Sequence, residues 1–149
     1  MKPNIVIIGG GAGGLELATK LGRSLDKRDR ANVILVDRSP THIWKPLLHE
    51  VASGAMDSSV DQISYRAVAR HRHFSFVLGE FSGLDRQRQT ITLDAILDED
   101  GSTVLPKREL HYDYLVLALG SITNDFGIPG VKDHCYSLDS PEQAQYFQK

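Results

Sequence analysis

The stretch Ile5-Val6-Ile7-Ile8-Gly9-Gly10-Gly11-Ala12-Gly13-Gly14-Leu15-Glu16-Leu17-Ala18-Thr19-Lys20-Leu21 decides the fold. Its first four residues form an unbroken β-branched run, the pattern of a strand buried on both faces of a parallel sheet. Glycines follow at once, and Leu17, Ala18 and Leu21 then share one face of a helix. Val33-Ile34-Leu35-Val36-Asp37 reads as a second strand of the same buried type. Between them, Asp26-Lys27-Arg28-Asp29-Arg30 reads as a solvated helix end and loop. The whole is a βαβ unit.

Gly9-x-Gly11-x-x-Gly14 would mean little in isolation. Here it leaves a strand, opens a helix and precedes an acid, the context that makes it a dinucleotide loop. Gly9 allows the tight turn, Gly11 admits a pyrophosphate close to the backbone, and Gly14 permits close helix–strand packing that Ala18 extends. The N–H groups at the helix start carry partial positive charge toward the phosphates. Asp37 ends the second strand, 23 residues after Gly14, where a carboxylate can accept both hydroxyls of an adenosine ribose. The competing reading is a glycine-rich turn with no ligand. An acid at this position disfavours a 2′-phosphate, so NADP is not expected, while NAD and FAD both stay open.

Downstream, Trp44, Pro46, Leu47, Leu48 and Val51 are too apolar for a free loop. They predict a short helix over Pro46–Ala52, packed against a flat surface. Ser59-x-x-Gln62 matches a capping box and predicts a helix running to about Arg70. Phe74–Glu80 reads as a strand. Three β-like segments then follow, over Phe81–Asp85, Thr90–Leu97 and Val104–Tyr112, bent at Arg86–Gln89 and at Asp98-Glu99-Asp100-Gly101. Tyr114-Leu115-Val116-Leu117-Ala118-Leu119-Gly120 predicts another buried strand ending in glycine. Ser140-Pro141-Glu142 predicts an N-cap with proline at the first helical position, and Ala144, Tyr146 and Phe147 begin an apolar face. The expected fold class is therefore α/β, a Rossmann-like domain with a parallel sheet and an inserted antiparallel β-meander. An NAD domain would continue with another strand–helix repeat, so the inserted segment and meander favour FAD.

The chain has 149 residues, 41% of them hydrophobic and 24% charged, enough to bury the core of one domain. Its formal net charge of −2 gives no reason to expect a nucleic-acid partner. No apolar run approaches the roughly 18 residues of a membrane helix, and the apolar start before the glycines is too short for a secretory signal. Cys135 is the sole cysteine, so neither an internal disulfide nor a Cys-x-x-Cys redox pair is expected. A reducing, cytoplasmic setting fits. The last helix meets Lys149 after barely two turns without a cap, which predicts the N-terminal piece of a longer protein.

Three phrases carry a resemblance: Ile7 through Ala18, Trp44-Lys45-Pro46-Leu47-Leu48-His49-Glu50-Val51-Ala52-Ser53-Gly54, and Leu117-Ala118-Leu119-Gly120-Ser121-Ile122-Thr123-Asn124-Asp125-Phe126. Together they resemble the type II NADH dehydrogenases, single-subunit NADH:quinone oxidoreductases among the two-dinucleotide-binding-domain flavoproteins. The resemblance runs from about Asn4 to the end, and the Lys45–Gly54 phrase is its most specific part. It implies that residues 1–149 are the N-terminal part of an FAD-binding domain. It places Gly9, Gly11, Ala12, Gly13 and Gly14 on the FAD pyrophosphate, Asp37 on the adenosine ribose and Arg38 beside the adenine. Lys45 and Pro46 match the segment that passes the isoalloxazine ring. Ala118, Leu119 and Gly120 match a second FAD motif, usually Ala-Thr-Gly, in which Leu119 brings no hydroxyl. It further implies NADH and a quinone as substrates of the longer enzyme, with the NADH-binding domain and a C-terminal membrane anchor outside this sequence. The enzyme would lie peripherally on the cytoplasmic face of the inner membrane, a homodimer being compatible with it, and the piece alone is not expected to turn over.

Other readings stay beside this one: a ferredoxin or sulfide:quinone reductase, or a non-catalytic adenine-nucleotide-binding module whose apolar cleft drives self-association. His49 and Glu50 read as solvating a short helix or as a proton relay near a flavin. Trp44 reads as a core anchor or as an aromatic beside the flavin. Arg70-His71-Arg72-His73 reads as a solvated helix end in preference to a metal or anion patch. Cys135 reads as a free loop thiol, and Tyr112 and Tyr114 as braces for the strand entering the second motif.

Overall fold

In the computed structural model, which describes residues 1–57, 62–98 and 100–148, the β-branched run becomes strand β1 (Asn4–Ile8) and the glycines open helix α1 (Ala12–Leu21). Strands β2 (Asn32–Asp37) and β3 (Thr41–His42) follow, then helix α2 (Leu48–Ala52), strand β4 (Ile63–Ser64) and helix α3 (Tyr65–Arg72). Strands β5 (Ser75–Leu78), β6 (Phe81–Asp85), β7 (Thr90–Leu93), β8 (Ile96–Leu97), β9 (Thr103–Leu105), β10 (Arg108–His111) and β11 (Tyr114–Leu117) come next. Helices α4 (Val131–His134) and α5 (Pro141–Gln148) complete the order. The chain divides into two compact units, one of Met1–Pro40 with Ser64–Leu119 and one of Thr41–Ile63 with Gly120–Lys149.

The first unit is built on a four-stranded parallel sheet in the order β11-β1-β2-β5. Side chains alternate across a strand, and β1 puts apolar residues on both faces. Ile7 joins Ala18, Val33, Leu35, Tyr65, Ala69 and Phe74 beneath α1 and α3. Val6 and Ile8 join Val36, Ile91, Leu93 and Tyr112 on the opposite face, where the antiparallel strands β6, β7 and β10 pack. This three-layer arrangement accounts for the unbroken hydrophobicity of β1 and β2, since neither face meets water.

The meander differs from the expectation at two segments: Val104–Tyr112, expected as one strand, is split into β9 (Thr103–Leu105) and β10 (Arg108–His111), and Thr90–Leu97 is split as well. Its three-stranded sheet runs β10-β7-β6, and the segment expected as one long strand over Thr90–Leu97 breaks after Leu93. A separate hairpin, β8 with β9, lies between β7 and β10; its turn closes with the Gly101 N–H donating to the Asp98 carbonyl at 3.0 Å, at a glycine with φ of +79°. Strand β11 is also not the buried strand that its apolar run predicts. It is the edge of the parallel sheet, with Tyr114 63% and Leu117 53% exposed. Composition reports that a strand is apolar but not whether both of its neighbours are present. Tyr112 is buried and braces the entry to β11, whereas Tyr114 does not.

Helix α3 starts later than the capping-box reading placed it. Ser59 lies outside the described residues, and the cap is Ser64, whose Oγ accepts the Ala67 N–H at 3.5 Å. The helix stops at His73, whose φ of +58° is the left-handed turn that ends helices. Arg70, His71 and His73 are exposed there, as a solvated helix end requires.

In the second unit, Leu48, Val51 and Ala52 of α2 pack with Ala144 of α5. The partner of the Pro46–Ala52 segment is therefore another helix and not a flat surface. Small Ala52 and Ala144 let the two helix backbones approach closely. At the start of α5, Ser140 caps as expected, its Oγ accepting the Gln143 N–H at 3.3 Å, with Pro141 at the first helical position. Of the expected apolar face only Ala144 is buried; Tyr146 and Phe147 stay exposed and contact the ring of Tyr136 instead.

Candidate functional site

The glycines of the first motif divide by what surrounds them. Gly9 has φ of +99°, and a Cβ there would come 2.3 Å from the Ala118 carbonyl oxygen. A Cβ on Gly14 would lie 1.8 Å from the Gly9 carbonyl oxygen, and one on Gly10 would lie 2.4 Å from the Tyr65 ring and hydroxyl. These three must be glycine because the protein's own atoms fill the space. Gly11 and Gly13 face nothing within 4 Å. No steric demand within the chain explains those two, and they leave an open floor above the helix start.

Backbone donors sort in the same way. The Gly9 N–H donates to the Val36 carbonyl at 2.8 Å and the Gly10 N–H to Asp37 Oδ2 at 2.6 Å. Beyond them, Ala12, Gly13 and Gly14 occupy the first turn of α1, where no intrahelical carbonyl is available to accept from their N–H groups. Gly11 is the N-cap and brings no side chain to cover them. A charged oxygen placed over Gly11 and Gly13 would meet these donors and the positive end of the helix.

Asp37 holds the rim of this loop. Its Oδ2 accepts from Gly10 and its Oδ1 accepts the Ser39 N–H at 2.8 Å. A carboxylate offers about four acceptor positions, so the two contacts orient the group and leave capacity for ribose hydroxyls. Arg38, next in the chain, points to solvent and pairs loosely with Glu80 at 3.9 Å.

The second motif arrives from the other end of the sequence. Ala118 donates its N–H to the Ile8 carbonyl at 2.7 Å, which seats the end of β11 directly against the turn at Gly9. The methyl of Ala118 would be 3.3 Å from a Cβ on Gly14, so its smallness belongs to the same close approach. Leu119 is exposed. Gly120 belongs to the second unit, has φ of +73°, and a Cβ there would meet open space.

Tyr65 and Gly10 were not among the expected site residues. Tyr65 is 2% exposed, its ring stacks on Phe76 at a centroid distance of 5.0 Å, and its hydroxyl donates to the Gly10 carbonyl at 2.7 Å. Burial first, and then the charge of Asp37, push its hydroxyl above the usual tyrosine value. No local pattern announces this role. Gly10 is the x of the motif, and Tyr65 lies 55 residues away.

Within the second unit, Lys45 Nζ donates to the Ser121 carbonyl and to Asp139 Oδ1, both at 2.7 Å. Asp139 Oδ2 accepts the Thr123 N–H at 2.9 Å. The Lys45 ammonium, and next the Thr123 N–H, hold the Asp139 carboxyl down at about 2. Pro46 sits exposed in the 3-10 turn Lys45–Leu47. Trp44 is 54% exposed, which removes the core-anchor reading. His49 and Glu50 face solvent 3.9 Å apart, as residues solvating a short helix do. Cys135 is an exposed free thiol just after α4. Among the described residues, no helix is long and apolar enough to cross a membrane.

Comparison with known proteins gives the geometry a lineage. A type II NADH:quinone oxidoreductase of Haemophilus influenzae is 49% identical over 97% of this chain, which covers 33% of that relative. The Staphylococcus aureus protein of the same name is 26% identical over 99% of this chain, which covers 34% of it. The chain thus spans about a third of the length of these curated relatives. A structure of NDH2 from Plasmodium falciparum in complex with NADH superposes with a TM-score of 0.78 at 25% identity, over the whole chain and 28% of that protein. The sulfide:quinone oxidoreductase of Aquifex aeolicus shares the fold, with a TM-score of 0.74 at 23% identity over 98% of this chain and 30% of its own. The model of the pyridine nucleotide-disulphide oxidoreductases matches residues 3–149, and it is to this family that a chain with its two glycine motifs locked together at Gly9 and Ala118 belongs.

Proposed function

We propose that this chain is the FAD-binding segment of an oxidoreductase that moves electrons from NADH to a membrane quinone. The observation that carries the FAD part is the open floor over Gly11 and Gly13, bounded by the donors of the first α1 turn and by Asp37. A cradle that a Cβ would fill, with no protein atom in it, fits a diphosphate. The names of the relatives supply NADH and quinone.

Gly11, Ala12, Gly13 and Gly14 would hold the pyrophosphate, with Gly9 setting the turn, and Asp37 the adenosine ribose, with Arg38 beside the adenine. Lys45, Pro46, Ala118, Leu119 and Gly120 would hold the flavin half, Leu119 by backbone only. When bound, FAD supplies the hydride-accepting and electron-passing chemistry, which is the cofactor's own. What the chain contributes is the placement of donors before the ligand arrives, so that little ordering remains at binding. NADH would bind to a domain outside these residues. Peripheral attachment at the cytoplasmic face of the inner membrane and a homodimer belong to the same proposal.

Titration of the chain with FAD, followed by flavin fluorescence, tests the reading, with NADH and NADPH run in parallel. Saturable binding of FAD alone is expected, and Asp37→Ala should weaken it about tenfold or more by removing the ribose acceptor and releasing the Gly10 and Ser39 N–H groups. A preference for NADH would overturn the assignment of this loop.

A further inference from the structure

Resting on the FAD reading, we infer that Tyr65 is a positioning residue that sets the Gly10–Gly11 peptide plane so that the Gly11 N–H faces the phosphate cradle. In a planar trans peptide, the carbonyl of one residue and the N–H of the next point in opposite directions. The Tyr65 hydroxyl holds the Gly10 carbonyl inward at 2.7 Å. The N–H of Gly11 is thereby turned outward, on the side where Gly11 is exposed and nothing lies within 4 Å of its Cβ position.

The same residue is held from both ends. Asp37 takes the Gly10 N–H at 2.6 Å while Tyr65 takes its carbonyl, so both polar groups of Gly10 are committed. Glycine has the widest backbone freedom of any residue, and three in succession at Gly9, Gly10 and Gly11 would sample many peptide orientations without such restraints. Tyr65 is suited to restrain them because its own ring is fixed, buried and stacked on Phe76. Gly10 in turn has no side chain because the ring lies where a Cβ would stand, 2.4 Å away. One helix residue thus excludes a side chain from the loop and selects the direction of a phosphate donor.

The test is Tyr65→Phe, which keeps the ring and removes the hydroxyl. Two-dimensional NMR of the 15N-labelled chain without nucleotide should show, outside the surroundings of the substituted ring, its largest shift change at the Gly11 amide, whose peptide plane the hydroxyl holds, with smaller changes at Gly9 and Gly10. FAD affinity should fall about fivefold, whereas adenosine, which lacks phosphate, should bind as before; a general loosening of the fold would weaken both alike. Unchanged Gly10 and Gly11 amides overturn the inference even if the chain binds no FAD, an outcome that would separately sink the functional reading. Altered amides with undiminished FAD affinity overturn it as well. Should Tyr65→Phe not fold, the unmodified chain decides: its Tyr65 hydroxyl proton should be a slowly exchanging resonance with a nuclear Overhauser contact to the Gly10–Gly11 loop, and a rapidly exchanging hydroxyl refutes the restraint.

Discussion

Two carboxylates organise backbone in this molecule, and they do it by different means. Asp37, half-buried at the end of β2, accepts two backbone N–H groups and, among the described residues, has no ammonium or guanidinium hydrogen-bonded to it. Asp139 accepts one backbone N–H and one lysine ammonium, Lys45, in the second unit. The first arrangement belongs to a loop in which Gly9, Gly10 and Gly14 are fixed by steric exclusion. The second joins exposed segments through a long, flexible side chain. Shape therefore governs the glycine loop and charge governs the Lys45 cluster, so substitutions should expose the two regions to different perturbations.

The most damaging change should be Gly14→Ala, because its methyl would press on the Gly9 carbonyl 1.8 Å away with backbone on both sides. Urea unfolding should show a loss of about 3 kcal/mol, the upper part of the range for overpacking. Gly11→Ala is the matching probe of open space. Its φ of −61° suits alanine, so stability should stay within about 0.5 kcal/mol, while FAD affinity should fall about tenfold or more as the methyl enters the cradle. Equal stability losses at the two glycines would erase the distinction drawn between them.

The charge-governed region should answer to pH instead. The Asp139 value is depressed in the folded chain, so its ionised form contributes stability above its ordinary value near 3.8, and this is lost as pH falls through about 2. Lys45→Met removes the first cause of the depression. A carbon-detected NMR titration should then find the Asp139 midpoint moving from about 2 back toward 3.8. A midpoint that stays near 2 would assign the effect to the Thr123 N–H. Smallest of all should be Trp44→Ala, since the indole is exposed and, among the described residues, belongs to no buried cluster. Its thermal midpoint should move by no more than about 2 °C by circular dichroism.

The readable and unreadable parts of the sequence divide along the same line. β1, the glycine turn, α1 and β2 were legible because their signals are local: a β-branched run, glycines at fixed offsets, an apolar helix face and an acid at a strand end. Ser140 and Pro141 announced the start of α5 for the same reason. Tyr65 and Asp139 were not legible, since each acquires its role from a partner reached only after the chain has folded, Gly10 in one case and Lys45 in the other. The apolar Tyr114–Leu117 run marked a strand but not its place at an edge, which depends on what pairs beside it. The break after Leu93 was missed because a two-strand hairpin costs the sequence only a short interruption of alternation.

The pairing of β11 with β1 also sets a schedule. Ile5 lies opposite Tyr114, and the Asn4 N–H closes on Asp113, a residue 109 positions later, at 2.6 Å. At ribosomal speeds of about 5 to 20 residues per second, the near side of β1 waits roughly 5 to 20 s for its neighbour to be made. Once β2 has been made, Ile5–Ile8 can join it but presents its other edge unpaired for the rest of that interval. The glycine turn at Gly9, which needs Ala118 against it, is therefore among the last parts of the first unit to take its final form, although it is among the first to be synthesised.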